Sequence, residues 1–319
     1  RGAFNITPTP TLAGHAIAHA VTRAGIDPAR IEDVVMGAAL QQGTSFMNVA
    51  RNCAIRARLP GSVSGQSIDR QCASGMMGIA IAAKQIICDG MDVTIGGGVE
   101  SISMNQVPAA FQKTDPWIKA NKPALYMTML ETAENVAERF GVSREAQDAY
   151  ALQSQQRTAA AQEAGRFDAE IVAMTTVMGV MDKATKEITQ QEVTLAKDEG
   201  NRPATTLDNL TALQPVFANG QVVQQGRFIT AGNASQLSDG ASASVLMEAG
   251  VAEREGLTPL GRYVGISVAG CEPDEMGVSP IHAVPKLLKA NGLTMADIGL
   301  WELNEAFASQ VIASRDHLG

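Results

Sequence analysis

The sequence predicts an α/β fold of two similar halves, with a helical domain inserted into the first half. Short buried strands alternate with helices through the first third of the chain, which is typical of layered α/β domains. A helix, a link and a strand near the start recur at a constant offset near the end, where Ala16 and Val21 correspond to Ala283 and Leu288. Between the two copies, residues 104–225 are richer in charge and helical in spacing.

The composition is that of a folded protein with a large core. Of the 319 residues, 45% are hydrophobic and 18% are charged, and this length is enough for two domains. The net charge of −8 argues against nucleic-acid binding, because phosphate backbones require basic surface. A polyanionic small ligand stays open, since it requires only a local basic pocket. The most apolar stretch, 76–87, is too short to span a membrane.

The four cysteines predict reduced thiols. The spacing of Cys53, Cys72, Cys88 and Cys271 fits neither a zinc site nor a disulfide framework. Reduced thiols are typical of a cytoplasmic protein, or of an organelle matrix in a eukaryote. The chain begins at Arg1 rather than Met and ends within a predicted helix, so both ends are expected to be truncated.

Helix and strand patterns follow one another in order along the first half. The spacing of Leu12, Ala16 and Val21 predicts a helix over 11–24, which Gly25 ends. The next patterns predict a buried strand at 34–37, a helix at 48–57, a long apolar helix ending near 88, and a strand at 92–95.

The later patterns define the insertion and the second half. Two amphipathic helices are predicted at 129–140 and 144–164, the second capped by Ser143. The sheet is predicted to resume at 228–230 and 241–247, with a last strand at 300–303. The predicted domains are an N-terminal half (1–103 and 226–256), an inserted loop domain (104–225) and a C-terminal half (257–319).

Cys72 is the sharpest candidate for a reactive residue. It lies where a polar loop, 69–71, meets the N-terminus of an apolar helix. The free amides and dipole of such a helix stabilise an anion, which favours a thiolate, and the same amides can bind an oxyanion. The small residues at 73–75 leave room for a bulky acyl chain. On this position alone, a nucleophile and an inert buried cysteine are equally supported.

Other reactive residue types lie in less informative places. Cys53 and Cys88 fall in apolar helical patterns, which predicts core packing. Cys271 lies in a loop, where it could be mistaken for a second catalytic thiol. His15 and His19 are four apart on the first predicted helix, but no acidic or cysteine partner is near in sequence, so a surface pair is predicted rather than a metal site.

Two further segments suit ligand binding. Asn304 follows the predicted strand 300–303, where its amide can orient a water or donate to a carbonyl oxygen; a helix N-cap is the plainer alternative. Residues 230–235 form a turn of small residues whose backbone can meet an extended ligand, and an ordinary tight turn is the alternative.

Together, four motifs resemble the thiolase family. They are Asp-Arg-Gln-Cys-Ala-Ser-Gly at 69–75 for the nucleophile, and the strand-turn Gly-Gly-Val-Glu-Ser-Ile-Ser at 97–103. Residues 230–239 resemble the turn on which the pantetheine of coenzyme A rests, and Asn-Glu-Ala-Phe stands at 304–307. The motifs occur in the family's order and cover nearly the whole chain.

The resemblance implies a thiolase-like five-layered αβαβα fold, with two similar halves in pseudo-twofold symmetry and an inserted helical loop domain. It also implies a homodimer or homotetramer, acyl-CoA and coenzyme A as substrates, and neither a cofactor nor a metal. It makes Cys72 the acylated nucleophile and Asn304 the residue that holds an oxyanion-hole water. The other matched positions are Arg202 beside the adenine, Ala231, Gly232 and Ser235 at the pantetheine turn, and Met129, Phe217 and Phe307 around the acyl pocket.

The chain also departs from the family pattern. The Gly-His-Pro segment with the activating His and the later Cys-x-Gly-Gly-Gly segment with the acid/base Cys do not occur in this sequence, so the chain is expected to lack both groups. The opening strand of the first half is not found either. Leu130 stands where many members have Gly, which predicts a differently shaped acyl pocket.

The implied reaction is ping-pong thiolytic cleavage of a 3-ketoacyl-CoA through an acyl-Cys72 intermediate, or the reverse condensation of two acetyl-CoA. Three alternatives stay open. One is a decarboxylating ketoacyl synthase, which shares the fold but pairs its Cys with two His. Another is a non-catalytic acyl-CoA-binding or lipid-binding thiolase-like protein. The third is an unrelated α/β protein with a structural cysteine.

Overall fold

The computed structural model describes residues 2–106 and 113–319, and these form two compact units. Unit 1 comprises the described residues of 1–111, 168–199 and 237–264. Unit 2 comprises those of 112–167, 200–236 and 265–319. Across the described ranges, no helix is long and apolar enough to cross a membrane. The predicted boundaries between the two halves and the inserted domain stay a prediction.

Unit 1 contains the main sheet and the helices that pack on it. Its helices are α1 (Thr9–Ala24), α2 (Val49–Arg56), α3 (Ser74–Asp89), α4 (Ile102–Asn105) and α9 (Ala249–Arg254). Its strands are β1 (Asp33–Gly37), β2 (Ser64–Ile68), β3 (Val93–Glu100), β4 (Met174–Met181), β5 (Ile188–Leu195) and β6 (Gly240–Met247). Unit 2 is helical, with α5 (Pro116–Asn121), α6 (Met129–Arg139), α7 (Arg144–Glu163), α8 (Leu207–Thr211), α10 (Pro280–Ala290) and α11 (Ala308–Leu318).

The four-stranded sheet of unit 1 has the order β2-β1-β3-β6. Strands β2, β1 and β3 are parallel, and β6 runs antiparallel to β3. Every residue of β1 is buried, as expected for a strand with a neighbour on each side and layers on both faces. The predicted strands at 34–37, 92–95 and 241–247 are confirmed as β1, β3 and β6, although β3 runs five residues further, to Glu100, and β6 is only partly buried.

The first helix, α1, buries a face close to the predicted one, with Ile17 in place of Ala16, which is only half-buried. Leu12, Ile17 and Val21 of α1 are buried, and Gly25 ends the helix with φ at 67°, a backbone conformation that favours glycine. Asn48 caps α2, because its side-chain oxygen accepts a hydrogen bond from the Arg51 amide at 3.1 Å. These elements form one hydrophobic core around β1 and β3.

Unit 2 has two smaller cores. Thr128 caps α6 and Ser143 caps α7, which confirms both predicted helices. One core joins α6, α10 and α11 and consists of Val136, Val142, Val278, Ile281, Ile312 and Ala313. The other consists of Ala133, Ile229 and Phe307, with Leu130, Phe228, Ala234 and Ala306 packed against it.

Two predicted strands are wrong. Residues 228–230 form no strand, because the amides of Phe228 and Ile229 donate to the carboxylate of Glu134 rather than to a neighbouring strand. Residues 300–303 form no regular secondary structure, and Leu300 and Trp301 are exposed. A strand needs a partner to complete its ladder of hydrogen bonds, and apolar pattern alone does not supply one.

Several elements were not predicted, among them strand β2 and the hairpin of β4 and β5. Strands β4 and β5 form an antiparallel hairpin within unit 1, with Met174 opposite Leu195. The side-chain amide of Asn5 donates to the Gly179 carbonyl at 2.7 Å, and Asn5 accepts from the Gly179 amide at 2.9 Å. This hairpin lies in a region that helical spacing had assigned to a mostly helical domain.

Candidate active site

Cys72 lies in unit 1 on a tight turn between β2 and α3. Gln71 has φ at 48°, a left-handed conformation that is strained for a residue other than glycine. Asp69 stabilises the turn by accepting from the Gln71 amide at 2.7 Å, and the Ser74 hydroxyl accepts from the Arg70 amide at 2.8 Å. The turn leaves the Cys72 side chain exposed, two residues before α3 begins. The alternative of a buried cysteine is therefore excluded.

Close packing of glycines places the start of α3 against the sheet. A Cβ atom on Gly37, the last residue of β1, would lie 2.1 Å from the Ser74 backbone. A Cβ on Gly98 of β3 would lie 2.8 Å from the Gly75 Cα atom. No side chain fits at either position, so the N-terminus of α3 lies directly against the carboxyl ends of two parallel strands. That edge is where open α/β sheets bind ligands.

Two of the other three thiols, Cys53 and Cys271, are less exposed than Cys72. Burial raises the pKa of Cys53 to about 12, so this thiol stays protonated at neutral pH. Partial burial, with Glu275 and other acidic neighbours, raises the pKa of Cys271. The prediction that Cys88 packs in the core is wrong, because it is exposed in the last turn of α3. Cys72 and Cys88 are thus the two exposed thiols, at opposite ends of one helix.

The predicted histidine pair lies on the surface of α1. The rings of His15 and His19 are 4.5 Å apart, and His15 Nε2 lies 3.0 Å from the Ala173 carbonyl oxygen. Burial, followed by the charge of His19, lowers the pKa of His15. Among the described residues, no group of three or more His, Cys, Asp and Glu side chains suits a metal ion.

In unit 2, the structure brings together two of the predicted site segments. The Ser235 amide donates to the Ala306 carbonyl, and the Ala308 amide donates to the Asn233 carbonyl, each at 2.9 Å. The turn 230–235 and the segment 304–307 are therefore neighbours. Asn304 is exposed, and the N-cap of α11 is Phe307, so the simple N-cap alternative for Asn304 does not hold.

The turn 230–235 is shaped by a buried amide. Asn233 Oδ1 accepts from the Thr230 amide at 2.8 Å, and its Nδ2 donates to the Phe228 carbonyl at 2.9 Å. Ala231 and Ser235 are exposed and Gly232 is half-buried, so the outer backbone of the turn is accessible. This arrangement differs from an ordinary tight turn, because a buried side chain fixes it from within.

The predicted acyl-pocket residues all belong to unit 2. Phe307 is buried in the cluster that also includes Ile229, and Leu130 packs against that cluster. Phe217 is buried, with its carbonyl accepting from the Gly226 amide at 2.9 Å. Met129, the first residue of α6, is 39% exposed and so is available to a ligand.

Arg202 lies in a loop at the surface of unit 2. Its carbonyl accepts from the Thr205 hydroxyl at 2.7 Å, and its amide donates to Gln155 Oε1 at 2.8 Å. These bonds hold the backbone, while the Arg202 side chain is exposed and has no hydrogen bond or ion pair within the described part of the chain. An exposed guanidinium on a fixed loop suits an anionic ligand.

Sequence reasoning missed two buried carboxylates on α6. Glu131 accepts from the amides of Val222 and Val223, at 2.6 and 3.1 Å, and Glu134 accepts from three consecutive amides at 227–229. A partial signal for them was present: both glutamates stand close to Ala133, Val136 and Ala137 in the predicted helix, and every residue of 131–137 is buried.

The fold and these residues define an α/β protein with an exposed candidate nucleophile, Cys72, and an accessible turn of small residues, 230–235, that suits a ligand. Family models for the thiolase N-terminal domain and the thiolase C-terminal domain match residues 1–250 and 257–319. The 3-ketoacyl-CoA thiolase of Bacillus subtilis (strain 168) is 40% identical, over 100% of this chain and 80% of its own length. The peroxisomal 3-ketoacyl-CoA thiolase B of Mus musculus is 38% identical, over 100% of this chain and 73% of its own.

A solved structure supports the same assignment. The crystal structure of the Bacillus anthracis acetyl-CoA acetyltransferase superposes with a TM-score of 0.84 and 36% sequence identity, covering 99% of this chain and 79% of that one. The chain belongs to the thiolase family. The predicted resemblance and the predicted thiolase-like α/β fold are thereby confirmed.

Proposed function

We propose that the protein is a thiolase that transfers acyl groups between 3-ketoacyl-CoA and coenzyme A through an acyl-Cys72 intermediate. The observation that supports this most is the exposure of Cys72 on a strained turn directly before α3. An exposed thiol on that turn is open to an incoming acyl thioester. The similar proteins named 3-ketoacyl-CoA thiolase and acetyl-CoA acetyltransferase support the same substrate class.

The reaction proceeds in two half-reactions. The Cys72 thiolate attacks the 3-keto carbon, and the bond between C2 and C3 breaks. The electron pair stays on C2, which takes up a proton, and acetyl-CoA leaves. The sulfur of coenzyme A then attacks the acyl thioester and releases the shortened acyl-CoA, so that Cys72 departs as a thiolate again. In reverse, two acetyl-CoA condense. Coenzyme A is a substrate here, and no step requires a cofactor.

Unit 2 supplies the proposed coenzyme A contacts. The exposed side chain of Arg202 binds the nucleotide end, and the accessible backbone of Ala231, Gly232 and Ser235 binds the pantetheine. Asn304, beside that turn, holds a water that donates to the developing oxyanion. The hydrogen bonds between the turn and segment 304–308 support a common ligand for both.

The proposed acyl pocket is lined by Met129, Phe217 and Phe307. Leu130 packs against the cluster around Phe307, where a glycine would leave open space. A leucine side chain at this position narrows the pocket, so we propose a preference for short or unbranched acyl chains near the 3-keto carbon.

We propose a role in fatty-acid β-oxidation, in the cytoplasm or an organelle matrix, where reduced thiols persist. Similar proteins include bacterial and peroxisomal thiolases.

We also propose a homodimer or homotetramer. Strand β2 is at the edge of the sheet, and the side-chain amide of Asn48 donates to the Gly65 carbonyl of this strand at 2.7 Å. Phe46 and Met47, just before Asn48, are 66% and 73% exposed, so apolar surface adjoins an open sheet edge.

The proposed function is tested by thiolysis of acetoacetyl-CoA with the full-length protein. Replacing the nucleophile in Cys72→Ala should lower kcat at least about a thousandfold. The matched variant Cys88→Ala, at the other end of α3, should retain wild-type kcat. Thiolysis that survives in Cys72→Ala would contradict the proposed function.

Two of the alternatives are separated by the choice of substrate. A decarboxylating ketoacyl synthase consumes a malonyl thioester, so carbon dioxide release from malonyl-CoA would favour it. A non-catalytic acyl-CoA-binding protein gives no turnover with either substrate, and its ligand affinity does not depend on Cys72.

A further inference from the structure

The proposed acyl-CoA contacts of unit 2 lie on three separate loops outside the strands of the described chain. These are the loop with Arg202, the turn 230–235 and the segment 304–307. Loops without a ladder of hydrogen bonds need other anchors to hold a binding geometry. In each case the anchor is a polar side chain of the same helix, α7.

The first anchor is Gln155. Its side-chain oxygen accepts from the Arg202 amide at 2.8 Å and from Asn201 Nδ2 at 3.0 Å. Asn201 Nδ2 also donates to the main-chain carbonyl of Gln155 at 2.9 Å. One residue of α7 therefore fixes both the backbone of Arg202 and the residue before it, while the Arg202 side chain stays exposed.

The second anchor is Asp148, two turns before Gln155 on the same face. It is 1% exposed and forms an ion pair with Arg144, with Nε and Oδ2 2.8 Å apart. Its other oxygen accepts from Asn233 Nδ2 at 3.2 Å. Asn233 is the buried residue that shapes the turn 230–235. By accepting a hydrogen bond from the Asn233 side chain, Asp148 therefore holds the turn that forms the proposed pantetheine site.

The third anchor is a pair, Tyr150 and Ser154, one helical turn apart. Their hydroxyls donate to the two carboxylate oxygens of Glu305, at 2.6 and 2.8 Å. Burial and the Glu305 carboxylate raise the pKa of Tyr150, so its hydroxyl remains a donor. Glu305 directly follows Asn304, whose carbonyl accepts from Gln310 Nε2 at 2.7 Å. The backbone around Asn304 is thus held on both sides.

We propose that α7 is the positioning element of the acyl-CoA site: Gln155 positions Arg202 for the nucleotide end, Asp148 positions the pantetheine turn, and Tyr150 with Ser154 positions Asn304. The inference rests on the proposed function. The anchors span residues 148–155, which is about 10 Å along a helix. A single helix therefore sets the spacing between the loop with Arg202, the turn 230–235 and the segment 304–307. None of these side chains needs to touch the substrate.

The anchors should be separable by their kinetic effects. In the full-length protein, Gln155→Ala should raise the KM and the Kd for coenzyme A about tenfold and leave kcat unchanged. Gln155→Glu keeps the accepting oxygen and should restore the wild-type KM. Tyr150→Phe should lower kcat about tenfold with an unchanged KM for coenzyme A, since it disturbs Asn304 and not the nucleotide end.

Controls separate positioning from general stability. Gln156→Ala changes the exposed neighbour of Gln155 and should behave as wild type in both KM and kcat. If Gln155→Ala does not fold, Asn201→Ala removes the two bonds that the Asn201 side chain donates to Gln155, and it should also raise the Kd, measured by titration calorimetry with coenzyme A alone.

The outcomes distinguish this inference from the proposed function. Absent thiolysis by the wild type, with coenzyme A binding that Gln155→Ala weakens, would reject the function and retain the role of α7. The inference would be overturned if Gln155→Ala, Asn201→Ala and Tyr150→Phe all kept the wild-type KM, Kd and kcat. It would also be overturned if the control Gln156→Ala raised KM and lowered kcat as much as the anchor variants do.

Discussion

The buried carboxylate of Glu134 offers a sharp test of how unit 2 is held together. Glu134 is 2% exposed, and its two oxygens accept from the amides of Arg227, Phe228 and Ile229 at 2.8 to 3.1 Å. Only Oε2 reaches the Arg227 amide. In Glu134→Gln the nitrogen that replaces one oxygen cannot accept, so at least one amide loses its partner.

The expected cost of Glu134→Gln is about 2 kcal/mol, since a buried donor left without an acceptor costs about 1–3 kcal/mol. Glu138→Gln is the matched control, one turn along α6. It removes an ion pair with Arg227 in which both side chains are about 60% exposed, and such surface pairs contribute less than about 1 kcal/mol.

Both tryptophans of the sequence, Trp117 and Trp301, lie in unit 2, so tryptophan fluorescence reports its unfolding in urea. With a slope of about 3 kcal/mol per molar, Glu134→Gln should lower the midpoint by about 0.7 M and Glu138→Gln by less than half of that. Equal midpoints for Glu134→Gln and the wild type would refute the claim that the hydrogen bonds of Glu134 to the amides of 227–229 stabilise unit 2.

Three further predictions follow from the thiols and the ligand site. Limiting iodoacetamide at neutral pH should label Cys72 ahead of Cys88, since the two exposed thiols lie at opposite ends of the α3 dipole. The buried Cys53 should stay unlabelled. Peptide mass spectrometry measures the order of labelling, and faster labelling of Cys88 would contradict this prediction. Arg202→Ala should raise the KM for coenzyme A with little change in kcat, and an unchanged KM would remove Arg202 from the site. Leu130→Gly should raise kcat/KM for longer 3-ketoacyl-CoA relative to acetoacetyl-CoA, and an unaltered ratio would show that this position does not limit the pocket.

The sequence predicted the elements whose local signals agree with their packing. Gly25 ends α1, and Ser143 caps α7, because cap residues act through bonds to their own helix. The boundary between loop and helix at Cys72 was also predicted, since a polar loop precedes an apolar helix, but the exposure of the thiol was left open until the structure showed it. Helix ends of this kind can be predicted from neighbouring residues alone, without knowledge of residues that are distant in the sequence.

The errors came from long-range pairing. Residues 228–230 have a strand-like apolar pattern, but their amides bond to Glu134, which is more than ninety positions away in the sequence. Cys88 has the spacing of a core residue, yet the last turn of α3 is exposed. The anchors of α7 were missed for the same reason: a polar helix face indicates solvent unless its loop partners are known.

The central claim is that Cys72 carries the acyl group, and trapping that intermediate tests it most directly. The full-length protein is incubated with acetyl-CoA, quenched in acid and digested, and the cysteine peptides are weighed by mass spectrometry. The account predicts one acetyl group on the Cys72 peptide, none on the Cys88 or Cys271 peptide, and loss of the label when coenzyme A is added before the quench. An enzyme that cleaves acetoacetyl-CoA while its acetyl group lies on Cys271, or on no cysteine, would contradict the account.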